Sequence, residues 1–242
     1  MSGKLLPVRD IDAKLICAIY DCNPDEVREC IRLGANVNCE TNKGWSLAEY
    51  AFYHYDDMSS DKWDEVLDIL IDSGMNFNKR LRRNVPFGFP LILALYWLNE
   101  PLGIKMIERG AELNIKDRFR VTPVIAAARC SKGIALKMLL DKGADINGRE
   151  SLLGYTAIHE AVEQNCPENV ILLVEAGADV NAPDYDGISP LALALDDKRI
   201  AMAKLLLDAG AELAGVAENL LTDEIRAYIP DRTRIEASAP TV

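Results

Sequence analysis

The sequence predicts an all-α array of helix-turn-helix repeats joined by hairpin fingers, and three observations carry that reading. A glycine that opens a short motif, in most copies closing on Asn, recurs at Gly34, Gly74, Gly110, Gly143, Gly177 and Gly210, spaced 40, 36, 33, 34 and 33 residues apart. A fixed period in this range marks stacked supersecondary units, each too small to bury its own apolar face. Ahead of the later glycines run apolar residues at helical spacing, such as Val170, Leu172 and Leu173, or Leu205, Leu206 and Leu207. The 242-residue chain is 49% hydrophobic, enough for a substantial core.

Each element of the unit has a local cause. The apolar helix stops at its glycine, which takes the left-handed backbone without a Cβ clash. Asn and a polar stretch such as "APDYDG" (182–187) then supply turn chemistry for a hairpin. Thr122-Pro123 and Ser189-Pro190 each place a hydroxyl N-cap before a proline at the first helical position, so a second, short helix starts there. Its small residues, Ala126, Ala127 and Ala128, or Ala192 and Ala194, let neighbouring helices approach closely.

Repeats are expected at about 8–38, 39–78, 79–114, 115–147, 148–181 and 182–213, in one domain spanning 1–229. The first has no finger before it and is read as an N-terminal cap. At the other end "VAENLLTDEIRAYI" (216–229) spaces Leu220, Leu221, Ile225 and Ile229 as one capping helix. Residues 230–242 are read as a disordered tail. Two insertions interrupt the pattern: "YHYDDMSSDKW" (53–63) between the helices of the second unit, and "KRLRRNVPFG" (79–88) in the third finger.

These residues resemble ankyrin repeats. The segments "WSLAEYAF" (45–52), "FPLILAL" (89–95), "VTPVIAAA" (121–128), "YTAIHEAV" (155–162) and "ISPLALAL" (188–195) follow that family's helix start, and the glycine motifs follow its close. The resemblance covers about residues 8–213 and implies a solenoid with hairpin fingers along one edge. It also implies that His159 hydrogen-bonds within its own repeat. Arg120 departs from the pattern, standing where the family prefers a finger glycine.

No catalytic set emerges. The sequence has no G-x-S-x-G elbow, no phosphate loop and no paired-histidine spacing, its two histidines being His54 and His159. Six cysteines without a CxxC pair read as reduced thiols, not a zinc site. No cofactor or metal is expected. A net charge of −11 disfavours nucleic acid and anionic membrane. Without an apolar run of membrane length or a secretory leader, a cytoplasmic protein is expected, and a cap at each end of the array makes a monomer the expected state.

The resemblance places the family's variable, partner-facing positions on the finger tips and on the exposed side of the short helices, a concave face. They include an aromatic ladder of Trp45, Tyr53, Trp97, Phe119, Tyr155 and Tyr185. Trp, Tyr and Arg are the types enriched at interface hot spots. Basic middle fingers contribute Arg80, Arg82, Arg83, Lys116, Arg118 and Arg149, and an acidic C-terminal end contributes Asp186. The leading function is therefore a non-catalytic module that grips a partner protein. Compact ankyrin proteins of this kind include immunity proteins that mask a toxin, which points to an inhibitor or neutraliser. The alternative is an adaptor, or a binder of nucleic acid, phospholipid or phosphoprotein through the basic fingers.

Overall fold

The computed structural model describes residues 9–53, 61–81, 88–97, 99–130 and 132–229. The chain forms two compact units, divided between Arg118 and Phe119.

Unit 1 holds α1 (Asp10–Tyr20), α2 (Pro24–Arg32), α3 (Leu47–Tyr53), α4 (Asp61–Asp72), α5 (Pro90–Tyr96) and α6 (Glu100–Glu108). The long helices form a row, α2 against α4 and α4 against α6, while α1 packs on α2 and α5 on α6. Its core is built from Leu15, Val27, Leu47, Phe52, Trp63 and Leu91, each 1% exposed or less. Trp63, the last residue of the insertion in the second unit, is a core residue of α4. Residues 54–60 and 82–87, the middle of each insertion, lie outside the described residues.

Unit 2 holds α7 (Pro123–Ala127), α8 (Ile134–Asp141), α9 (Ala157–Glu163), α10 (Pro167–Glu175), α11 (Pro190–Asp196) and α12 (Ile200–Asp208). A 3₁₀ turn (Glu218–Leu220) and α13 (Asp223–Tyr228) follow. Here two layers are plain: α7, α9 and α11 form one row, and α8, α10 and α12 the other. The predicted alanines Ala126, Ala127, Ala128 and Ala194 are fully buried along the inner row. Thr122 Oγ1 accepts from the Ile125 amide at 3.2 Å and Ser189 Oγ from Ala192 at 3.2 Å, so both predicted N-caps form.

The motif glycines end the long helices as expected. At Gly34, with φ 89°, the Ala35 amide reaches back to the Cys30 carbonyl at 3.0 Å. The motif asparagine has a role beyond the turn. Asn38 Nδ2 donates to the Gly74 carbonyl at 3.0 Å while its Oδ1 accepts from the Asn76 amide at 2.7 Å. Asn78 repeats this clamp on Gly110 and Glu112, and Asn181 repeats it on Gly210 and Glu212. One amide thus satisfies a donor and an acceptor of the next repeat. In the first repeat an ion pair takes the asparagine's place. Arg9 donates to the Gly34 carbonyl, and Asp12 Oδ1 accepts from the Asn36 amide at 2.7 Å. Arg9 grips Asp12 through two 2.7 Å bonds and holds its carboxyl below the usual range.

The fingers are tight hairpins with few rungs, and among the described residues the one β-bridge pairs Glu40 with Ser46. Glu150 N–H to the Tyr155 carbonyl at 3.0 Å and Asp184 N–H to Ile188 at 2.9 Å close two others. Gly44, Gly154 and Gly187 turn at φ 72°, 81° and 82°, and Arg120 takes the same left-handed conformation at φ 61°. The turn survives the missing glycine, at the cost of a strained non-glycine residue. Arg120→Gly should therefore stabilise unit 2 by about 1 kcal/mol. Thermal melting followed by circular dichroism checks it, and an unchanged or lowered midpoint would show that the strain is absent.

The single capping helix expected over 216–229 is corrected. Leu221 is extended and Thr222 starts a new helix, its Oγ1 accepting from the Ile225 amide at 3.3 Å. A threonine that bonds its own downstream backbone breaks the helix it was counted in. Only Ile225 of the four spaced apolar residues is fully buried. Residues 230–242 lie outside the described residues.

Candidate protein interface

In unit 1, the second finger and α1 enclose a groove of about 570 Å³ lined by Ala13, Ile16, Cys17, Trp45, Tyr50 and Tyr53. The finger fixes Trp45 through its backbone: its carbonyl accepts from the Thr41 amide at 2.7 Å and its amide donates to Thr41 Oγ1 at 3.1 Å. The indole then meets the Tyr53 ring edge-on, with centroids 4.9 Å apart at 78°, and the Tyr50 ring at 6.4 Å. Tyr53 is 43% exposed and Trp45 half-buried, so one aromatic face is packed and the other open. Burial pushes the Tyr50 phenol up.

The other predicted positions of unit 1 are more scattered. Trp97 is half-buried at the end of α5. Arg80 is exposed, and its side chain lies where a Cβ on Gly88 would stand 3.6 Å from its Nε. Lys116 and Arg118 are exposed, and Arg82 and Arg83 lie outside the described residues.

In unit 2, two fingers form one surface. The Glu150 carboxylate is buried and accepts the amides of Leu152, Leu153 and Tyr155, the last two at 2.6 and 3.0 Å. Wrapping the backbone around this carboxylate leaves Leu152 and Leu153 67% and 51% exposed at the tip. The neighbouring finger docks on the same tip: the Tyr185 amide donates to the Leu153 carbonyl at 2.8 Å, and its ring covers Gly154, where a Cβ would lie 2.7 Å from it. Tyr185 is itself 59% exposed. Arg149 donates to the carbonyls of Gly154 and Pro183, stapling the two fingers together. Phe119 is half-buried, and its carbonyl accepts from Ser151 at 2.7 Å.

Below the fingers, Tyr155 stacks on His159 with centroids 5.1 Å apart. His159 is fully buried, and its two ring nitrogens have different duties. Nδ1 accepts from the Thr156 amide at 3.3 Å, so Nε2 carries the proton it donates to the Ile188 carbonyl at 3.2 Å. The hydrogen bond within the repeat is therefore present, together with a second one that crosses to the next finger. Burial holds this imidazole below its usual pKa. Beside it Arg129 pairs with Glu160 at 2.6 Å, and burial pushes the Glu160 carboxyl up against that pull. Arg199 donates to the Val162 and Glu163 carbonyls and pairs with Asp197 at 2.8 Å.

The structure thus assembles Trp45 with Tyr53 in unit 1, and Arg149, Tyr155 and Tyr185 with Asp186 across two fingers of unit 2. Sequence reasoning missed Ala13, Ile16 and Cys17 as groove walls, because α1 precedes the first finger and no motif letter marks its exposed side. It also read Arg149 as a partner-facing cation, whereas its guanidinium serves neighbouring carbonyls.

A family model described as ankyrin repeats matches residues 91–184 and 135–215, together more than half of the chain. A solved ankyrin repeat domain from Acinetobacter baumannii AYE superposes with a TM-score of 0.66 at 25% identity, covering 82% of this chain and 98% of that one. Among curated relatives, the nuclear factor NF-kappa-B p105 subunit of Gallus gallus is 44% identical over 114 residues, which is 43% of this chain and 12% of that protein. The B-cell lymphoma 3 protein homolog of Mus musculus is 34% identical over 129 residues, 51% of this chain and 29% of that protein. The chain thus covers less than a third of either relative's length. Among the described residues no helix is long and apolar enough to cross a membrane. Helix pairs, glycine stops, asparagine clamps and these likenesses agree, and the chain belongs to the ankyrin-repeat family, whose repeats generally mediate protein–protein interaction without catalysis.

Proposed function

We propose that this chain is a non-catalytic module that binds one partner protein on the face made by its fingers and short helices, the concave face of the family's solenoid, and thereby masks it. The observation that supports this most is the pair of stapled finger tips in unit 2, where Leu152, Leu153 and Tyr185 are held open to solvent by a rigid backbone. Exposed aromatic and aliphatic anchors on a preorganised support lose little side-chain freedom on binding. The groove beside Tyr53 adds a second apolar anchor site in unit 1.

The test uses the full chain as bait in a lysate of its source, beside a Tyr53→Ala, Tyr185→Ala variant whose circular dichroism matches the parent. Both tyrosines are exposed enough for truncation to spare the core. A protein captured by the parent at low and moderate salt and lost from the variant supports the reading, and inhibition of that protein's activity supports masking. Capture restricted to nucleic acid or phospholipid, abolished by moderate salt and indifferent to the variant, would instead favour the basic fingers around Arg80, Lys116 and Arg118.

A further inference from the structure

Resting on that protein-binding reading, we infer that the finger face of unit 2 takes a basic segment of its partner, one that sets aliphatic side chains beside Arg or Lys. The apolar half of the surface is the tip cluster of Leu152, Leu153 and Tyr185, with Ile188 41% exposed next to it. Large aliphatic residues this open, on two fingers bonded to each other, form a patch that water solvates poorly.

The charge around the patch says what covers it. Three arginines of this face are turned inward: Arg149 serves the Gly154 and Pro183 carbonyls, Arg129 serves Glu160, and Arg199 serves the Val162 and Glu163 carbonyls and Asp197. The carboxylates are left facing out. Glu163 ends α9, Asp196 ends α11 and Asp186 caps a finger tip, all three exposed and with no cation partner among the described residues. Asp184 adds a fourth negative charge, its Oδ1 accepting the Asp186 and Ile188 amides at 2.9 and 2.8 Å. Lys198, exposed after α11, and Arg120, exposed next to the Phe119–Ser151 bond, offset only part of this. After burial itself, Glu163, Asp184, Glu160 and Asp197 are what raise the Tyr155 phenol, so these carboxylates converge on one aromatic floor.

Aliphatic side chains of the partner therefore cover the tips, and its guanidinium or ammonium groups lie over the floor. There Tyr155 and Tyr185 offer ring faces and Glu163, Asp186 and Asp196 offer acceptors. The chain's net charge of −11 steers such a segment in and repels acidic competitors.

The probe is a fluorescein-labelled synthetic peptide of paired leucines flanked by arginines, titrated into the full chain by fluorescence anisotropy. Two controls replace all arginines by glutamate or all leucines by serine. The parent peptide should bind, and both controls should bind at least about tenfold more weakly. The variant Glu163→Gln, Asp186→Asn, Asp196→Asn should weaken the parent peptide about tenfold, as should Leu152→Ser with Leu153→Ser. Raising salt from about 50 to 300 mM should weaken it further, since these charges are exposed. Equal binding of the glutamate peptide, or no change in the triple variant, overturns the inference. So does sedimentation showing that the chain dimerises until Leu152 and Leu153 are changed, because the patch would then be covered by a second copy. A lysate partner still captured by the triple variant but lost on Tyr53→Ala, Tyr185→Ala would overturn the inference and leave the protein-binding reading standing.

Discussion

Replacing Asn169 should destabilise unit 2 more than any surface change. Its side chain is fully buried at the start of α10, and Nδ2 donates to the carbonyls of Ala128 at 2.9 Å and Cys130 at 2.7 Å. These two carbonyls close the loop between α7 and α8, so one amide ties a helix to the turn of the preceding repeat. The space is shaped for it: Gly133 lies beneath, and a Cβ there would come within 2.4 Å of Asn169 Oδ1. Asn169→Leu removes both donors and leaves two carbonyls unsatisfied, a loss of about 2–4 kcal/mol. Asn169→Asp should cost more, about 3–5 kcal/mol, because a buried carboxylate would face two carbonyl dipoles. Urea unfolding followed by circular dichroism measures both. Hydrogen exchange should show the amides of α7 and α8 losing protection first. A loss below 1 kcal/mol for the leucine variant, a bound set by the usual worth of one hydrogen bond, would mean that water replaces the amide (about 0.5–1.5 kcal/mol each).

The second large effect is a pH dependence with a defined sign. His159 must be neutral to accept at Nδ1 and donate at Nε2, and burial holds its folded pKa below the ordinary value of 6.5. Above that value both folded and unfolded chains carry a neutral imidazole, and its contribution is whole. As pH falls below it, the unfolded chain gains the proton first, and stability is lost down to the folded pKa at no more than about 1.4 kcal/mol per pH unit. Glu160 works the other way. Its carboxyl is raised, so on acidification toward 4.5 it adds stability. The difference between the parent and His159→Gln isolates the histidine, since His54 is common to both. That difference should be about 2 kcal/mol near neutrality, where two buried hydrogen bonds are at stake. It should narrow as pH falls below 6.5. A difference that stays constant, or widens, would mean that the imidazole is charged in the folded protein.

How much of this was legible in advance varies by residue. The helix starts at Thr122-Pro123 and Ser189-Pro190 and the stops at the motif glycines follow from local backbone chemistry, and each stands where it was expected. Arg120 was legible as an anomaly, and the structure resolves it as a left-handed arginine within an unchanged turn. The cap was misread because helical spacing of Leu220, Leu221, Ile225 and Ile229 looks continuous, whereas Thr222 bonds its own backbone and restarts the helix. For the interface, the exposed tyrosines could be read from the family's variable positions, but the roles of the cations could not. Arg149, Arg129 and Arg199 look alike in sequence, and only their distance to particular carbonyls and carboxylates makes them staples.

By itself, then, the sequence determined the repeat period, the order of helices and turns, and the residues that stop and cap them, because each depends on contacts within a few residues. Only the tertiary structure decided which amide ties one repeat to the next, how Arg9 with Asp12 takes the asparagine's place in the first repeat, and which charges of unit 2 face the solvent. Those bonds join residues 24 to 41 positions apart. Packing within and between repeats brings them together, and a local pattern carries no record of the distance it closes.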